Sequence, residues 1–141
     1  MLKGIDGRTA VVTGAAGGIG SATVRRLHAE GANVVAVDLD GAGVEALAGE
    51  LGERVLAFRA DVTSPEDTDA FVAAAVDRFG SLDLFHANAG VESQVRTVAD
   101  FDLADFEKVF AVNVRSAFLG TSSVMRRMMA QGTGGSIVLT A

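Results

Sequence analysis

Hydrophobic positions along this chain follow two alternating patterns. Short, unbroken apolar runs recur at 9–14, 31–38, 54–61, 82–90 and 136–141, each bounded by glycine or polar residues. Between them lie longer segments in which apolar residues return at helical spacing, near 18–30, 42–52, 63–80 and 103–131. The runs predict strands, because an uninterrupted β-branched stretch of that length suits a strand buried on both faces. The intervening segments predict helices. Ile19, Ala22, Thr23 and Leu27 fall along one side of the first. The third opens with Ser64 as N-cap and Pro65 at the first helical position, and should stop at Gly80. The longest, from about Leu103 to Gln131, carries apolar or small residues around much of its circumference. Strand and helix therefore alternate through five strands. Strands buried on both faces imply a parallel sheet with helices on either side, and right-handed crossovers favour a doubly wound α/β arrangement. The long irregular stretch is Gly90 to Asp102.

Composition narrows the class. With 141 residues, 49% hydrophobic and 21% charged, the chain suits one domain with a real core. A net charge of −6 argues against nucleic acid as a partner. No apolar run approaches the length of a membrane span, and the opening residues lack the apolar core of a signal peptide. A chain without cysteine excludes disulfides and thiolate metal sites, and no metal site is expected. Together these features suggest a cytoplasmic protein.

The candidate chemistry begins at "TGAAGGIG", Thr13–Gly20, between the first strand and the first helix. Gly14 suits the tight exit from the strand, Gly18 allows backbone to approach a pyrophosphate, and Gly20 allows close packing of helix on sheet. Together with Ile19 they open a helix whose free N–H groups favour an anion. Asp38 closes the second strand, eighteen residues beyond Gly20. A carboxylate there accepts hydrogen bonds from an adenosine ribose and repels a 2′-phosphate. No Arg or Lys stands in the glycine loop or directly after Asp38, which favours NAD over NADP. Of the two histidines, His28 reads as a surface residue and His86 as a hydrogen-bonded structural residue within a strand. Met125, Met128 and Met129 read as helix-face packing.

With these motifs in this order, the sequence resembles the short-chain dehydrogenases/reductases, a Rossmann-like family. Thr13, Gly14, Gly18 and Gly20 match its TGxxxGxG form. Asp61 and Val62 are similar to its adenine contact. Ala87–Gly90 is similar to its NNAG motif, with Ala87 in place of the first Asn and with Asn88, Ala89 and Gly90 lining the cofactor. Asn113 falls on the asparagine that the family uses to hold a water in a proton relay. The resemblance implies NAD(H), an alcohol or ketone substrate, and a homo-oligomer formed through the long helix near 103–131. The family's other catalytic groups are a Ser, a Tyr and a Lys. By register the Ser would follow Ala141. The chain holds no Tyr, and its lysines, Lys3 and Lys108, stand elsewhere. The expectation is therefore a truncated, cofactor-binding portion, inactive by itself. A dinucleotide-binding half-domain without turnover and an interaction module pairing through the fifth strand are the other readings.

Overall fold

The computed structural model describes residues 2–141. Five strands form one parallel sheet in the order β3-β2-β1-β4-β5. In chain order the elements are β1 (Thr9–Thr13), α1 (Gly18–Ala29), β2 (Asn33–Asp38), α2 (Gly41–Leu51), β3 (Val55–Arg59), α3 (Pro65–Phe79), β4 (Leu84–Ala87), α4 (Leu103–Phe110), α5 (Ser116–Gln131) and β5 (Ser136–Leu139). The chain winds outward from β1 to β3, then crosses to the other side of β1. A crevice opens at that reversal, between the carboxyl ends of β1 and β4.

The sheet has two buried faces, and the period of two sorts the strands between them. Ala10, Val12, Val34 and Ala36 point toward α1 and α2, where Val24, Val44 and Leu47 meet them. Val11, Val35, Val37 and Phe85 point toward α3 and α5, against Phe71, Val72, Val124 and Met128. Local chemistry sets several helix ends. Asp40 caps α2 by accepting from the Gly43 N–H. Ser64 caps α3 by accepting from the Asp67 N–H, Pro65 is its first residue, and Gly80 ends it at φ +87°.

Two features go beyond what the periodicity carries. The inward side of α1 is Gly20 and Val24, whereas Ile19 is 62% exposed. Bare Gly20 lets the helix lie against the glycine turn, and Ile19, one residue before it, borders the cleft. The long helix is also interrupted. A π turn at Ala111–Arg115 joins α4 to α5 and contains Asn113. Such turns are rare and recur at functional sites. Side-chain amides pin this helical stretch to both ends of β4. Asn113 accepts from the Val91 N–H at 2.7 Å and donates to the Val91 carbonyl at 2.9 Å. Gln131 makes the same two-way pair with Leu82, at 2.9 and 3.1 Å.

Candidate dinucleotide site

The crevice at the carboxyl ends of β1 and β4 is an open cleft of about 1400 Å³. Gly14, Gly18, Ile19 and Asp38 border it on one side, Asn88, Ala89 and Gly90 at its centre, and Asn113 with the flank of α5 on the other. Most of the residues singled out in the sequence thus converge on one place. Asp61 and Val62 follow β3 at the same sheet edge but do not border this cleft.

The glycines have different reasons to be glycine. Gly14 turns the chain at φ +66°, and a Cβ there would lie 2.9 Å from the Ala89 Cα. At Gly20 a Cβ would lie 2.0 Å from the Gly14 carbonyl oxygen, so packing forbids a side chain. At Gly18 a Cβ would meet nothing within 4 Å. No protein contact demands glycine at that position, which leaves a clear approach to the first turn of α1. That turn has no side-chain cap and no acidic residue, so its N–H groups are free for an anion.

Asp38 is held rather than loose. One carboxylate oxygen accepts from the Ala16 N–H at 3.0 Å, the other from the Asp40 N–H at 3.0 Å. The charge is thereby fixed beside the glycine turn. Among the described residues no Lys or Arg borders the cleft, and Glu92 adds a second acid. The fold does bring Arg59 from the neighbouring strand, where it donates from Nε to the Leu39 carbonyl at 3.3 Å. The linear sequence gives no sign of that approach.

Asn88 and Thr13 tie the two strand ends together. The Thr13 hydroxyl accepts from the Asn88 and Ala89 N–H groups at 3.0 and 3.1 Å. The Asn88 amide donates to the carbonyls of Thr13 and Gly14 at 3.2 and 3.4 Å. Asn113 uses both ends of its side-chain amide on Val91, so that amide orders the loop leaving β4. Asp61 accepts from the hydroxyl and the N–H of Thr63, and these bonds hold its carboxyl below the ordinary range. His86 lies outside the cleft, and burial lowers its pKa. Thr13 stands in the glycine motif, but its tie to Asn88 and Ala89, and the places of Thr140 and Asp83, are not read from the sequence. A β-branched hydroxyl at a strand end and an acid opening an apolar strand were the available signals.

An open, parallel, doubly wound sheet with a bare helix N-terminus at its reversal point and an anchored carboxylate at the end of the neighbouring strand has the architecture of the Rossmann-like α/β proteins. Comparison with known proteins names the family. Residues 8–141 match the model for short chain dehydrogenase, and the chain belongs to that family. It is 39% identical over 132 residues to levodione reductase of Leifsonia aquatica, covering 90% of this chain and 49% of the relative. It is 42% identical over 146 residues to sex determination protein tasselseed-2 of Zea mays, covering 100% and 43%. Among solved structures, it is similar to a 3-ketoacyl-(acyl-carrier-protein) reductase from Brucella melitensis complexed with NADH. There the TM-score is 0.93 at 35% identity, over 97% of this chain and 58% of that one. The chain spans about half the length of these curated relatives.

Proposed function

We propose that this chain holds NAD(H) in the cleft and forms the cofactor-binding part of an oxidoreductase acting on an alcohol or ketone. The observation that carries the reading is the anchored Asp38 carboxylate beside the open turn at Gly18, on a cleft lined by no basic residue. A pyrophosphate fits the free N–H groups of α1, and a ribose diol fits Asp38 as acceptor. A 2′-phosphate there would face the fixed Asp38 charge, while Arg59, the nearby cation on β3, donates to the Leu39 carbonyl and does not border the cleft. Asp61 and Val62 would flank the adenine, and Asn88, Ala89 and Gly90 the nicotinamide end. Bound nicotinamide supplies the hydride acceptor or donor. The chain's own part is to orient the dinucleotide and shape the floor of the cleft.

Calorimetric titration should show tighter binding of NADH than of NADPH. Asp38→Ala should weaken NADH by about tenfold, the cost of losing a charge-assisted pair of hydrogen bonds, and narrow the preference. Equal affinity of the unmutated chain for both cofactors would remove the argument.

Turnover is a separate matter. Hydride transfer to a carbonyl leaves an alkoxide, and a positioned acid contributes roughly 10²–10⁴-fold to such a step. With no Tyr in the chain and Lys3 and Lys108 outside the cleft, the 141 residues should bind the cofactor without oxidising alcohols. NADH formation above background with a panel of secondary alcohols would overturn this.

The exposed stripe of the long helix supports self-association. Leu103, Phe106, Phe110, Val114 and Phe118 are all exposed, and the Phe106 and Phe110 rings stack 4.5 Å apart. An apolar stripe of this length is costly in water, and a two-fold pairing of the same helix would cover it. Light scattering after size exclusion should give a dimer, and Phe118→Glu should shift it to monomer. A monomer peak from the unmutated chain at micromolar concentration counts against it.

A further inference from the structure

His86 lies on the α1 side of the sheet, opposite Val12 in the β1–β4 ladder. It nevertheless connects to the cleft through hydrogen bonds. His86 Nε2 is 2.8 Å from the Thr140 hydroxyl oxygen. Thr140 Oγ1 is 3.0 Å from Asn88 Oδ1. Asn88 Nδ2 faces the Thr13 and Gly14 carbonyls. Five residues from three strand ends thus form one line that finishes at the glycine turn.

The protons along this line have one consistent arrangement. Carbonyl oxygens only accept, so Asn88 must turn its NH₂ to Thr13 and Gly14 and its oxygen to Thr140. A hydroxyl has a single proton, and Thr140 spends it on Asn88. Thr140 must therefore accept from His86, so the imidazole proton sits on Nε2. Its Nδ1 keeps a lone pair, buried and without a partner among the described residues. A second proton on Nδ1 would have no acceptor there.

We propose that His86 is a positioning residue for the dinucleotide loop: as the neutral Nε2–H tautomer it holds Thr140, and through it the Asn88 amide that secures the turn at Gly14. The role rests on the cleft being the dinucleotide site. It also makes β5 part of that site, because Thr140 follows β5 directly and β5 is aligned on β4 through the pair Ala87–Leu139. His86 needs no access to substrate to act this way.

Nitrogen-15 NMR of the unmutated chain should show the two-bond imidazole couplings of the Nε2–H tautomer, with a mixture of tautomers in Thr140→Val and recovery in Thr140→Ser. His86→Phe and Thr140→Val should each weaken NADH by about three- to tenfold, the scale of one net hydrogen bond. The double variant should be no worse than either single one, since both cut the same line. His86→Gln, which keeps a donor near the Nε2 position, should bind as the unmutated chain does. An Nδ1–H tautomer overturns the proposal without any variant having to fold. So does unchanged NADH affinity in His86→Phe when the unmutated chain binds NADH. Failure of the unmutated chain to bind NADH overturns the cofactor reading itself, and the positioning role with it.

Discussion

Gly20→Val should cost about 3 kcal/mol or more of folding stability and abolish NADH binding, while Gly18→Ala should leave stability nearly unchanged and abolish binding alone. The contrast follows from what surrounds each position. A Cβ on Gly20 would stand 2.0 Å from the Gly14 oxygen, 2.7 Å from the Gly14 carbonyl carbon and 2.9 Å from the Ala15 Cα. All three are backbone atoms, so no side chain can swing aside, and α1 must lift off the turn. Overpacking of a tight site typically costs 1–3 kcal/mol, and a clash with main chain belongs at or above the top of that range. Lifting α1 also carries its free N–H groups away from the cleft. A Cβ on Gly18 meets no protein atom within 4 Å, so the only group it can obstruct is a ligand. Urea unfolding with NADH titration on both variants reads the two effects separately. Equal stability losses would mean that the two glycines do not divide their work as the geometry requires.

Asp83→Leu should destabilise by about 2–4 kcal/mol, the cost of orphaning buried donors around a lost carboxylate. Asp83 opens the run into β4 and is nearly buried. Its carboxylate accepts from the Thr9 N–H at 2.9 Å, the Ser81 hydroxyl at 2.8 Å and the Arg8 guanidinium at 3.3 Å. Its main chain joins β1 and β5 as well, donating to the Thr9 carbonyl and accepting from the Ser136 N–H, each at 2.9 Å. One residue thus aligns the amino ends of three strands. Arg8 is half exposed, so water screens that pair and most of the cost comes from the Thr9 N–H. Asp83→Asn keeps an acceptor of the same shape and should lose about 1 kcal/mol. The urea midpoint should fall in both variants with the slope unchanged. A Leu variant as stable as the parent would show that β1 and β4 align without this acid.

The candidate site was legible to the extent that its residues announce themselves by spacing. The glycines precede a helix, Asp38 ends a strand, and Asn88 leaves one; each is a local signal, and the fold places all three on one cleft. Arg59 was hidden because its approach to Leu39 depends on β3 lying beside β2, a pairing across twenty residues. For His86 the sequence indicates a hydrogen-bonded structural residue but not its partner, since Thr140 lies 54 residues on.

By itself the sequence determined what lies within a few residues of each position. Ser64, Pro65 and Gly80 bound α3, Gly52 ends α2, and the unbroken apolar runs mark strands covered on both faces. These are interactions between near neighbours, and the helix and strand periods translate them directly into elements. Only the tertiary structure decided that Ile19 turns outward, that a π turn places Asn113 on Val91, and that Thr13 meets Asn88 across 75 residues. Those outcomes follow from strand order and from how closely helices approach the sheet. Asn113 mid-helix and Gly20 in a first turn look alike as breaks in helix propensity; their surroundings set one to clamp a loop and the other to admit a backbone carbonyl.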